Sequence, residues 1–280
     1  MNSYPILGNK DTRSGFGEGL LRLGRTNPRV VALCADLKGS LKMDAFIKEH
    51  PERYIECGIA EANMIGVAAG LATAGYIPFA GSFAAFATGR VYDQIRQVVA
   101  YSNKNVKIAA SHAGLTLGED GATHQMLEDI SLMRALPNMY VYTASTDIIT
   151  KNVIKNIAKD QNPSYVRLYR METEEHYEKL TKEEIETCLK NGMIVKGIPG
   201  IELENHDIII VTMGDMIDIV YNVQKRLKEE YDINCLVIDV IRLKPFNEKM
   251  IVQILNNIEN AKIVTVEDHS IYGGLRKHNI

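Results

Sequence analysis

The sequence predicts an α/β protein, a mostly parallel sheet with helices on both faces, followed by a smaller α/β unit. Three observations carry this. Short apolar runs recur along the chain, among them Arg29–Cys34, Val106–Ser111 and Asp207–Thr212, as strands buried on both faces do. Stretches with apolar residues at helical spacing separate them, and this strand–helix alternation is the pattern of a parallel sheet with crossover helices. The composition changes once, over residues 171–190, where charge is dense. The expected organisation is therefore one unit over 1–170, a solvated linker over 171–190, and a smaller unit over 191–280, which suits a chain of 280 residues.

The elements follow in order. Asp11 or Thr12 is a plausible N-cap for a helix with an apolar stripe of Phe16, Leu20, Leu21 and Leu23. The strand Arg29–Cys34 ends in a polar loop, Ala35 to Ser40, of the kind that holds ligands at the carboxyl edge of open α/β sheets. A short helix over Leu41–His50 and a short strand at Tyr54–Cys57 come next. A helix follows over Glu61–Ala74, whose small residues Gly66, Ala69, Gly70 and Ala74 permit close approach of a neighbour. Tyr76–Ala80 reads as a strand and Phe83–Ala100 as one helix, with Val91, Ile95, Val98 and Val99 on one side. The strand Val106–Ser111 opens into a long polar loop, then helix Met126–Ala135, strand Met139–Thr143, helix Asp147–Ala158 and strand Ser164–Leu168. Beyond the charged stretch lie strand Asp207–Thr212, helix Met216–Glu230, strand Ile233–Val240, helix Asn247–Asn257 and strand Lys262–Val266.

Composition excludes several classes. The formal net charge of −3 points to neither nucleic acid nor a membrane surface. No stretch of about 18 apolar residues occurs, and Met1 to Asp11 has no apolar signal core. Cys34, Cys57, Cys188 and Cys235 form no C-x-x-C pair, so they read as reduced thiols of a cytoplasmic protein with no metal site.

Two stretches carry chemistry. In Cys57 to Phe86 a single carboxylate, Glu61, sits among small and apolar residues, ahead of Phe83 and Phe86. By position alone Glu61 fits a first-turn residue favouring the helix dipole. The alternative is a buried carboxyl tuned for proton transfer. The second stretch, Gly118-Glu119-Asp120-Gly121-Ala122-Thr123-His124, lies in the loop that follows the strand Val106–Ser111 and begins with His112. Its glycines permit close backbone approach to a ligand, its acids accept from hydroxyls, and its histidine moves protons near neutrality. An exposed turn is the alternative; the spacing of a calcium loop is absent. Individually, Arg13, Ser40 and Arg170 read as surface residues, Phe83 and Phe86 as core, and His269 as part of an exposed turn.

Taken together, Glu61 with its flanks, the segment Gly81 to Phe86, and the segment His112 to Gln125 resemble the pyrimidine-binding half of thiamine-diphosphate-dependent transketolases. The resemblance runs from about Asp11 to the chain end and is most specific over Asp36 to Gln125. It implies that Glu61 hydrogen-bonds a ring nitrogen of the aminopyrimidine, and that Phe83 and Phe86 pack on that ring. Gly89 stands where a third aromatic is expected. Asp36 matches an aspartate near the cofactor. Arg13, Ser40, His112 and Arg170 match residues that hold a sugar phosphate, Asp120 an acid that reads a substrate hydroxyl, and His124 a histidine that contacts substrate oxygens and assists proton transfer.

The resemblance also implies what stands elsewhere. No Gly-Asp-Gly…Asn motif for the diphosphate and its magnesium or calcium ion occurs, so those are expected on an N-terminal partner subunit. The implied assembly is a homodimer core within a heterotetramer, acting on sugar phosphates of the pentose phosphate pathway and inactive alone. The segment Glu267 to Leu275 matches the family's third domain, which is expected to be shortened here. Alternatives are a deoxyxylulose-phosphate synthase-like or 2-oxo-acid dehydrogenase beta-like subunit, or a non-catalytic assembly partner.

Overall fold

A computed structural model describes residues 10–197, 200, 202–258 and 262–275. Its main sheet gathers seven strands: β2 (Val30–Cys34), β3 (Tyr54–Glu56), β4 (Ile77–Phe83), β5 (Lys107–Ser111), β6 (Tyr140–Thr143), β7 (Ser164–Arg167) and β12 (Arg242–Lys244), in the spatial order β12-β6-β7-β5-β4-β2-β3. Every pairing is parallel except β12 with β6. Helices α1 (Thr12–Thr26), α2 (Asp44–Glu49), α3 (Glu61–Thr73), α4 (Tyr92–Gln94), α5 (Asp129–Ala135) and α6 (Asp147–Ile157) connect and cover it. Side-chain alternation along β2 shows why. Val31 and Leu33 enter a core shared with Met64 and Ala68 of α3, while Val30, Ala32 and Cys34 enter a second core with Phe16, Leu20 and Ile154. A strand buried on both faces has no polar side, which is why Val30–Cys34 reads as a continuous apolar run.

The second sheet has the order β13-β10-β11-β9, from β13 (Lys262–Val266), β10 (Ile208–Thr212), β11 (Cys235–Val240) and β9 (Met193–Lys196), with β9 antiparallel. Helices α8 (Ile217–Tyr231) and α9 (Glu248–Asn256) accompany it. A small antiparallel pair joins β1 (Lys10–Asp11) to β8 (Glu172–Thr173).

The main differences from the sequence expectation are these. Residues 171–190, expected as a solvated linker, hold β8 and most of α7 (Lys182–Asn191). Thr181 and Glu184 cap that helix reciprocally, and Ile185 and Leu189 bury one face. The stretch expected as one helix over Phe83–Ala100 is instead wound in wider turns at Ala85–Gly89 and Ile95–Tyr101, with the Arg90 amide donating to Ala85 O. Val91, Ile95 and Val99 are buried there as expected, while Val98 is exposed. Strand β12 leaves the second unit to extend the first sheet. His269, expected in an exposed turn, is buried, with its Nδ1 on Ser270 O.

All four cysteines are free, Cys34 and Cys235 buried and the other two half-buried. Among the described residues no helix is long and apolar enough to cross a membrane, and no group of His, Cys, Asp or Glu is placed to hold a metal ion.

Candidate functional site

The carboxyl ends of β4 and β5 and the start of α3 converge on one edge of the main sheet. Glu61 is the first residue of α3, yet it is only 3% exposed. It thus combines a helix-start position with withdrawal from water. From the open side, Arg90 Nη1 donates to both carboxylate oxygens, at 3.0 and 3.1 Å. The Arg90 guanidinium also lies 4.0 Å from the centre of the Phe86 ring.

Four rings form one cluster beside this pair. Phe83, the last residue of β4, stacks on His112 at 3.9 Å between centres and on Phe86 at 6.0 Å. His124 meets Phe86 edge-on at 5.1 Å and Phe83 at 6.4 Å. A Cβ at Gly89 would meet Met126 Cε at 3.4 Å, so Met126 lies beside the position expected to carry a third aromatic.

His112 follows β5 with a positive φ of 56°. Its Nδ1 pairs with Ser111 Oγ at 2.9 Å and its Nε2 lies 3.4 Å from Arg13 Nη1. Burial, reinforced by Arg13 and Arg170, pushes its pKa down to about 3, so the imidazole is neutral at physiological pH. Arg13 is held on several sides, with Nη2 donating to Asp11 and to Arg170 O and Nη1 to Ser40 O. Its Nε is buried without a partner. Ser40 takes part through its carbonyl oxygen.

The loop from Gly114 to Met126 closes on itself through the Gly114 amide and Met126 O, 2.9 Å. Gly118 and Gly121 take φ of 84° and 73°, which favours glycine at both turns. Asp120 stands exposed between them. Arg170 reaches over this loop, donating to Leu117 O at 2.6 Å and to Glu119 at 2.7 Å. Arg13, Arg170 and residues 116–119 line a cleft of about 400 Å³. A larger open cleft, about 670 Å³ around Glu204, Asp207 and Asn234, holds none of these residues.

Of the residues singled out in the sequence, Glu61, Phe83, Phe86, His112 and His124 come together as one cluster. Arg13, Ser40 and Arg170 form a second group, linked to the first through His112. Asp36 has a φ of 61° and is exposed at the end of β2, its amide donating to Glu56; none of the contacts joining the others includes it. Sequence reasoning missed Arg90, whose signal is its spacing of four residues from Phe86, and Asp11, the partner of Arg13.

The residues fit the ring end of a thiamine cofactor on one direct observation. A flat, hydrogen-bond-donating group, the Arg90 guanidinium, already stacks on Phe86 while bonding Glu61, and an aminopyrimidine makes the same two demands. The fold and site define a pyrimidine-binding module of the thiamine-diphosphate type. A family model of the transketolase pyrimidine-binding domain matches residues 9–175, and one of the transketolase C-terminal domain matches residues 200–278. The chain belongs to the transketolase family. It is 44% identical over 268 residues to a Methanocaldococcus jannaschii protein named for the C-terminal section of transketolase, covering 95% of this chain and 79% of that one. It is 33% identical to human transketolase over 276 residues, 98% of this chain, and spans 42% of that protein's length. A solved split-gene transketolase, described as an inactive beta4 tetramer, superposes with a TM-score of 0.82 at 39% identity, over 96% of this chain and 82% of that one.

Proposed function

We propose that this chain is the pyrimidine-binding half of a two-part transketolase, moving a two-carbon ketol unit from a ketose phosphate to an aldose phosphate. The observation that carries the reading is the buried Glu61 carboxylate beside the Phe83–Phe86 stack, with His112 and His124 in the same cluster. Bound thiamine diphosphate would supply the nucleophilic carbon that accepts and hands on the two-carbon unit. Glu61 would hold a proton against a ring nitrogen of the pyrimidine, in place of its present bond to Arg90. Phe83 and Phe86 would pack on the ring and keep water away from that carboxyl group. The neutral His112 contributes hydrogen bonds without a charge. His124 and Asp120 face the sugar's hydroxyls, while Arg13, Arg170 and Ser40 take its phosphate. Asp36, exposed after β2, would border the cofactor.

The diphosphate and its magnesium or calcium ion belong to an N-terminal partner subunit. The inactivity named for the split-gene tetramer supports this dependence on a partner. The assembly proposed is a homodimer core within a heterotetramer of the two subunits. Four free thiols fit a reducing, cytoplasmic setting.

The test is reconstitution of this chain with the N-terminal subunit, thiamine diphosphate and magnesium. Xylulose 5-phosphate and ribose 5-phosphate are expected to give sedoheptulose 7-phosphate. Pyruvate consumption in its place would overturn the reading in favour of a synthase or dehydrogenase, and a stable complex without turnover would reduce the chain to an assembly partner.

A further inference from the structure

The loop from Gly114 to Met126 belongs to the first unit, yet it is fastened by the second. Two carboxylates reach it at its first residues. Asp268, just after β13, accepts from the Leu115 amide with both oxygens, at 3.1 and 3.0 Å. Asp215, just after β10, accepts from the Thr116 hydroxyl at 2.5 Å. At the loop's other end the Ser270 amide donates to Leu127 O at 2.9 Å. The anchors are themselves fixed. Arg167 of β7 donates to Asp268 O at 2.9 Å and to Met126 O at 3.3 Å, so one buried guanidinium ties the end of the loop to the second unit. Gly214, next to Asp215, packs so tightly on the Tyr169 ring that a Cβ there would overlap it. A Cβ at Gly114 would likewise run into the Asp268 carboxylate. Asp215 and Asp268 are only 6% and 5% exposed, so water does not compete for these bonds.

We propose that Asp215 and Asp268 are positioning residues, two carboxylates of the C-terminal unit that fix the base of the 114–126 loop and thereby set where Asp120 and His124 stand against the substrate. The inference rests on the functional reading above for its consequence in turnover. The contacts explain why a catalytic half-site is built with a second α/β unit that supplies none of the expected site residues: that unit is the wall to which the loop is pinned. The loop tip has few internal bonds, among them the Gly121 amide to Gly118 O and the His124 amide to Gly121 O. Arg170 holds it at Leu117 and Glu119 and His124 rests on Phe86, so the anchored base acts together with these contacts to place the tip.

Asp268→Asn and Thr116→Val variants of the full chain provide the test. Thr116→Val keeps the side-chain shape, removes only the donor to Asp215, and serves if Asp268→Asn does not fold. Hydrogen exchange of the isolated subunit is expected to quicken about tenfold over residues 115–121, the scale of one charge-assisted buried hydrogen bond, with the sheets unchanged. In the reconstituted pair kcat/KM for sugar phosphate should fall about tenfold, while the dissociation constant of thiamine diphosphate stays within about twofold. A merely structural role would lower cofactor affinity and quicken exchange throughout the chain, and that result overturns the proposal. So does unchanged exchange over 115–121, or faster exchange with unchanged kcat/KM. If the unmodified pair has no ketol-transfer activity, the functional reading fails, while the exchange experiment still decides whether these carboxylates hold the loop.

Discussion

Replacing Asp129 by alanine isolates the charge of Arg167, the bulkiest fully buried side chain among the described residues. The side chains of Asp129 and Arg167 are both 0% exposed. Asp129 Oδ2 accepts from Arg167 Nε at 2.9 Å and from Tyr165 OH at 2.6 Å. Without it, the guanidinium keeps three neutral partners, Tyr169 OH, Met126 O and Asp268 O, but no neutralising charge this close. Breaking a buried pair on one side costs about 3–5 kcal/mol, because the remaining charge stays out of water. At about 2–4 °C per kcal/mol for a chain of this size class, the melting midpoint should fall by roughly 6–20 °C. Replacing both members by apolar residues, Asp129→Leu with Arg167→Met, removes the stranded charge and should recover most of that loss. Thermal and urea unfolding of the three proteins by circular dichroism measures both effects. A cost below about 1 kcal/mol for Asp129→Ala, or a double variant less stable than the single one, would refute the argument that an uncompensated charge dominates here.

Two further outcomes follow from the site. Glu61→Gln should lower kcat of the reconstituted pair by about 10²–10⁴-fold, the usual worth of a positioned proton carrier. The melting point should barely move, since the Arg90 side chain left behind is 48% exposed and finds water. Activity within tenfold of the parent would remove Glu61 from the mechanism. The stability–pH profile should hold two opposed limbs. Burial pushes the Asp239 carboxyl up to about 6, against donors on Ser145 and Tyr177 and the nearby His176. The folded state then keeps a proton that the unfolded chain releases near pH 4, so this group's contribution is lost as pH rises from about 4 to about 6, at up to about 1.4 kcal/mol per pH unit. His112, held down at about 3, acts in reverse, and its contribution is lost as pH falls from about 6.5 towards 3. Asp239→Asn should therefore gain on the parent as pH rises through 4–6, and His112→Asn should lose ground on it as pH rises through 3–6.5. Chemical denaturation at several pH values reads both, and a difference independent of pH would contradict the assignment.

Much of the fold was legible because buried parallel strands are written as unbroken apolar runs. Lys262–Val266 was bounded to the residue, and most other strands to within two or three. Legibility failed where the decisive partner is remote. The three residues Arg242–Lys244 carry no strand pattern of their own and become a strand only because the β6 edge is open beside them. His269 is buried by Asp129 and Arg167 from other segments, which nothing local to Glu267–Ser270 encodes. The α7 start is different, since the capping box of Thr181 and Glu184 is visible in the sequence, although the charge density around it has the pattern of a solvated linker. In the site, the ring cluster emerged from residues already singled out. Arg90 escaped because its meaning lies in Glu61, 29 positions earlier.

The edge strand β12 has a consequence for how the chain is made. Residues 242–244 emerge from the ribosome long after β6 and β7, so during synthesis the first sheet waits with one margin of backbone amides and carbonyls unsatisfied. That margin is a template for any extended peptide nearby. Cutting the gene between the two halves would leave the exposed rim permanently, so the first half expressed alone should be sticky rather than a self-sufficient module.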